Sequence, residues 1–162
     1  DADYLPAYVL NHILGGGAFT SRLFQEVREK RGLAYGVHTA LLPLRNSALF
    51  TGSTATKNER AAESLSVIRG EIADLLAKGP GEDELEKARQ FLIGSYALHF
   101  DTSTKIARQL LQIAVDGLGI DYIDRRNDLV AAVTMADVRR AAERLFAGGE
   151  MLVVAVGRPE GL

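Results

Sequence analysis

The chain has 162 residues, of which 47% are apolar and 25% charged, and its formal net charge is −2. These values suit a soluble globular chain with a real core and exclude disorder over most of its length. The near balance of charge gives no field for nucleic acid or anionic lipid, and the absence of cysteine excludes disulfides, thiolate metal sites and cysteine nucleophiles.

The first pattern is helical, with Leu5, Val9 and Ile13 in register and Tyr8 alongside. It is expected to stop at Gly15, Gly16 and Gly17, where glycine supplies the left-handed turn that ends a helix. Thr20 or Ser21 then caps a second helix carrying Leu23, Phe24 and Val27, and Gly32 ends it beside Lys30 and Arg31. Over residues 35–42 the period falls to two, with Tyr35, Val37, Thr39 and Leu41 on one side. A turn at 43–47 and a strand at 48–55 complete an antiparallel hairpin. Thr56 to Glu59 has the spacing of a capping box. The helix it opens carries Leu65, Ile68, Ile72, Leu75 and Leu76 and stops at Gly79 and Pro80.

A helix from Glu82 places Leu85, Ala88, Leu92, Tyr96 and His99 on an inner face. The next is marked by Ile106, Leu110 and Ile113, and a short one covers 122–129. Thr134 caps the last, with Val138, Ala142 and Leu145 inward. Residues 151–156 form a continuous apolar run, expected of a strand covered on both faces. The order predicts an α+β fold, a two-layer sandwich with a mostly antiparallel sheet under helices, in one domain over 1–162. Three strands make a thin sheet for so many helices. A chain that begins at Asp1 reads as part of a longer protein lacking its first strands, and the uncovered sheet predicts homo- or hetero-oligomeric association. No run approaches the roughly 20 residues of a membrane helix.

Most chemical motifs fail. The glycine run has no lysine and hydroxyl residue after it, so it is no P-loop, and a helical pattern precedes it where a dinucleotide site needs a strand. The histidines stand apart at 12, 38 and 99, outside any H-E-x-x-H or H-x-x-E-H pattern, so no metal site is expected in this chain. No G-x-S-x-G elbow is present. Glu82, Asp83, Glu84 and Glu86 read as an acidic first turn. Arg28 and Tyr35 stand out: a short glycine turn separates them and can bring a guanidinium and a phenol to one space. Both are donors suited to a developing oxyanion.

Residues 14–35, LGGGAFTSRLFQEVREKRGLAY, resemble the C-terminal-half motif of the pitrilysin/insulinase zinc metallopeptidases. The stretches 84–88, 133–138 and 153–157 are similar in order and spacing. The resemblance implies the fold of the LuxS and mitochondrial-processing-peptidase metallohydrolases. It further implies two halves facing across a cleft, with zinc held by H-x-x-E-H in the partner half and none here. The C-terminal-type half supplies an arginine and, seven positions later, a tyrosine to the peptide carbonyl; Arg28 and Tyr35 match that spacing. The resemblance thus implies half of a metalloendopeptidase, inactive alone, with the zinc half in the same chain or a separate subunit. A core-protein-like structural subunit is the alternative. The chain reads as soluble, and bacterial cytoplasm or periplasm suits its resemblance to bacterial peptidases.

Overall fold

The computed structural model describes residues 1–44 and 46–162. Helix α1 (Tyr4–Asn11) runs into a π-helical turn over His12–Gly16, and a second π segment covers Phe24–Glu29. Strands β1 (Ala34–Pro43) and β2 (Ala48–Thr56) pair antiparallel, with His38 opposite Ser53 and Leu42 opposite Leu49. Helices α2 (Ala61–Lys78), α3 (Glu82–Gly94), α4 (Ser103–Val115), α5 (Tyr122–Ala131) and α6 (Met135–Phe146) follow. The expected hairpin and every expected helix are present, in a helix-rich α+β arrangement. The expected turn at 43–47 includes Arg45, outside the described residues; Leu44 N–H donates to Ser47 O at 2.9 Å.

The core lies between α1, the hairpin and the later helices. Val9, Leu10 and Leu14 are buried against Leu23, Val27 and Val37, joined by Leu75, Leu85, Val130 and Val138. Phe50 of β2 meets Phe146 of α6 edge-on at 5.2 Å, which sets α6 against the hairpin. Among the described residues no helix is long and apolar enough to cross a membrane.

Several local expectations are corrected. The glycine run is not left-handed; Gly17 has φ −86° and the positive angle falls on Ala18, at +47°. A Cβ on Gly15 would lie 2.6 Å from Thr39 Oγ1, and one on Gly17 2.6 Å from His12 O. The glycines therefore serve close approach between the first π segment, its own preceding turn and β1. Thr20 and Ser21 do not cap: their hydroxyls donate back to Gly17 O at 3.0 Å and Ala18 O at 2.8 Å. Thr56 stays in β2, donating to Leu33 O at 2.6 Å, and α2 begins at Ala61 after a short 3-10 turn over Asn58–Arg60. The third helix ends at Gly94, so Tyr96 is buried from a following 3-10 turn while His99 is exposed.

Residues 151–156 form no strand. They have no ladder partner, because the two described strands pair only with each other, and Leu152, Val154 and Val156 are 88%, 79% and 98% exposed. The tail is instead pinned near the start of α2. Glu160 N–H donates to Asn58 O at 3.0 Å and Arg158 N–H to Asn58 Oδ1 at 3.3 Å. The Thr134 cap is present, with its hydroxyl accepting from Asp137 N–H at 3.2 Å.

Candidate functional site

The second π segment closes a wider turn than an α-helix: Lys30 N–H donates to Gln25 O, five residues back, at 2.9 Å. Gly32, at φ +58°, then reverses the chain, with its N–H on Arg28 O and that of Leu33 on Val27 O, at 2.9 and 2.8 Å. Only glycine adopts this angle without penalty. The helix thereby becomes a strand within a few residues, and Arg28 is left beside the first residues of β1.

A bulge completes the placement. Ala34 pairs with Thr56 and Val37 with Thr54, so Tyr35 and Gly36 together oppose Ala55. The hydroxyl of Thr54 donates to Gly36 O at 3.1 Å. Val37, Thr39 and Leu41 face inward, but the extra residue turns Tyr35 outward, where it is 86% exposed. Strict alternation would have kept Tyr35 on the side of Val37. A glycine inside the strand pattern was the signal for this bulge.

The guanidinium carbon of Arg28 lies 4.8 Å from the centroid of the Tyr35 ring. The structure thus brings the two sequence-selected residues together, by cation–π contact rather than through the hydroxyl. The same carbon is 4.6 Å from the centroid of Phe24. Among the described residues its one ion pair is to Glu29, with Nε 3.7 Å from Oε1. The neighbouring cations differ, since Lys30 and Arg31 both pair with Glu26. Hydrogen bonds from Lys30 and then Arg31 hold the Glu26 carboxyl below its ordinary range. Arg28 is therefore the cation of this cluster with the weakest carboxylate partner.

Next to Tyr35 lies a shallow depression of about 390 Å³ lined by Leu33, Tyr35, Ala55, Thr56 and Lys57. Lys57 and Phe24 were missed as site neighbours. Phe24 carries its signal in the four-residue spacing to Arg28, and Lys57 in the pairing that returns β2 beside Ala34.

The histidines do not converge. His12 is buried and stacked on Phe91 at 4.8 Å, and burial lowers its pKa. His38 and His99 are exposed on separate elements. Among the described residues no three His, Asp or Glu side chains are grouped as a metal requires. Of the acidic turn, Glu84 accepts from Gly81 N–H at 2.7 Å and from Arg22, and Glu86 pairs with Arg89.

A family model described as the peptidase M16 inactive domain matches residues 1–92. An uncharacterized zinc protease of Streptomyces coelicolor is 33% identical over 137 residues, covering 83% of this chain and 29% of its own length. A protein of Helicobacter pylori described as a non-peptidase homolog is 31% identical over 100 residues, 62% of this chain and 23% of its own. The crystal structure of a peptidase M16 inactive domain from Pseudomonas fluorescens superposes with a TM-score of 0.82 at 32% identity. That match covers 90% of this chain and 34% of the other. The chain spans 23–34% of the length of these relatives.

Proposed function

The chain belongs to the peptidase M16 inactive-domain family, and on that premise we propose that it is the non-zinc half of a metalloendopeptidase. In this reading it closes the cleft against a zinc-bearing N-terminal-type half, in the same chain or a separate subunit, and binds a peptide between the two. The observation that carries the reading is one juxtaposition: a weakly paired guanidinium 4.8 Å from the centroid of an 86% exposed phenol ring.

The chemistry follows from charge. Attack on a peptide carbonyl turns a weakly polar oxygen into an oxyanion, and donors aimed at it gain strength as the charge develops. Tyr35 would donate its hydroxyl to that oxygen. Arg28, permanently charged, would hold the substrate backbone or a neighbouring acidic group through its planar N–H edge. Neither group is a nucleophile. A metal in the partner half supplies Lewis-acid polarisation and an activated water, while this chain's residues bind, orient and stabilise.

The test is made on the complete two-half protein. Tyr35→Phe removes one hydroxyl, and we expect turnover of a fluorogenic peptide to fall about a hundredfold, on the order of 3 kcal/mol. Arg28→Ala should show a larger share of its loss in KM, because arginine also holds the ground state. Zinc content and melting temperature should stay unchanged in both. A second reading, a structural or interaction subunit without catalytic role, is favoured by the Helicobacter relative described as a non-peptidase homolog. Near-wild-type turnover in Tyr35→Phe would decide for it.

A further inference from the structure

We infer that Phe24 is a positioning residue for Arg28, one of two rings that clamp its guanidinium by cation–π contact, the other being Tyr35, and this inference rests on Arg28 binding substrate. Phe24 is 7% exposed, yet it stands outside the hydrophobic cluster that its neighbours Leu23 and Val27 join. Its described aromatic and cationic partners are the Phe19 ring, edge-on at 5.0 Å and itself 68% exposed, and the Arg28 guanidinium. A large buried apolar side chain thus lies beside the site, outside the main hydrophobic cluster.

The geometry gives that placement a purpose. The guanidinium carbon sits 4.6 Å from one ring centroid and 4.8 Å from the other, both within cation–π range. Two ring contacts restrict where the group can sit. Contacts of this kind are made with a ring face and consume none of the guanidinium N–H donors. Arginine has a long, rotamer-rich side chain, and here the nearest carboxylate, Glu29, is too distant at 3.7 Å to anchor it by a hydrogen bond. The clamp therefore orients Arg28 without occupying the N–H groups that a carbonyl or carboxylate would use. Four-residue spacing on the π segment brings Phe24 beside Arg28, and the β1 bulge brings Tyr35 to the same guanidinium.

The experiment is a double-mutant cycle in the complete two-half peptidase. Phe24→Leu keeps apolar bulk and removes the ring, and kcat/KM should fall about fivefold, chiefly through KM. Phe24→Tyr, which restores a ring, should recover most of that loss. In an Arg28→Ala background Phe24→Leu should have no further kinetic effect, although any loss in melting temperature would persist. Equal losses in both backgrounds, or no recovery with tyrosine, would reduce Phe24 to a packing residue and overturn the inference. If Arg28→Ala itself leaves kcat/KM unchanged, the reading of Arg28 fails and the clamp fails with it. If Arg28→Ala is impaired but Phe24→Leu is not, the clamp alone fails.

Discussion

The Cβ that Gly15 lacks would lie 2.6 Å from Thr39 Oγ1 and 3.0 Å from Thr39 N, so the packing there admits only hydrogen. Gly15→Ala should lose about 1–3 kcal/mol, the ordinary range for overpacking a tight core. Ala18 has the opposite problem, since φ +47° strains any side chain. Ala18→Gly should be neutral or more stable by up to about 1 kcal/mol. Denaturant midpoints for the pair check both signs, and a strongly destabilised Ala18→Gly would refute the strain argument. The sequence marks this region as glycine-dependent without showing why. Which residue takes the positive angle depends on how the first π segment sits on β1, a contact between elements that local spacing does not encode. Tyr35 and Arg28 were legible because their connection is short. The bulge that turns Tyr35 outward was hinted at only by Gly36.

Elements are held in place by charge as well as by apolar packing. Arg22, just before the second π segment, donates to Glu84 of α3 at 2.7 and 2.6 Å and to Asp74 of α2 at 3.0 Å. Burial pushes the Glu84 carboxyl up, but the Arg22 guanidinium and the Gly81 amide outweigh it and hold it below its ordinary range. For Asp74, the Lys78 hydrogen bond leads and Arg22 adds to it, again lowering the value. A lowered folded-state value gives stability that is present above the unfolded pKa and lost as pH falls through the folded one. Arg22→Gln should therefore lower the melting temperature at pH 7. The gap from wild type should close as pH drops from about 4 into the lowered range beneath it. Glu71, 3.9 Å from Arg22, is pushed up by burial and by Glu26 and opposes this trend, but it is the longest of the three pairings. A gap that persists at low pH would show that Arg22 acts through packing alone. Helix positions were readable from apolar periodicity and, at Thr134, from a cap. The Thr56 cap failed because Thr56 stays in the β2 ladder, its hydroxyl donating to Leu33 O, and α2 starts only at Ala61; a local motif cannot reveal that pairing.

For the whole molecule, the run at 151–156 has the composition of a buried strand and the exposure of a surface. Composition reports what a segment can do, while a ladder also needs a neighbour. We expect the chain to self-associate through this strip and Val154→Lys to weaken that association without changing the melting temperature, since Val154 is 79% exposed. Light scattering over a concentration series measures it, and equal association in both proteins would assign the contact elsewhere. The offset at Ala55 has a further consequence, for how the gene can change length. One residue inserted beside Ala55 would give the unmatched position a partner and return the phenol to the side of Val37. Removing Gly36 would leave the phenol outside but take away the local twist. Inserted codons near the far end of the hairpin, beyond the Pro43–Ala48 pair, would touch neither. Reading-frame length is thus fixed at one end of the ribbon and free at the other, so indels between related genes should collect at the free end.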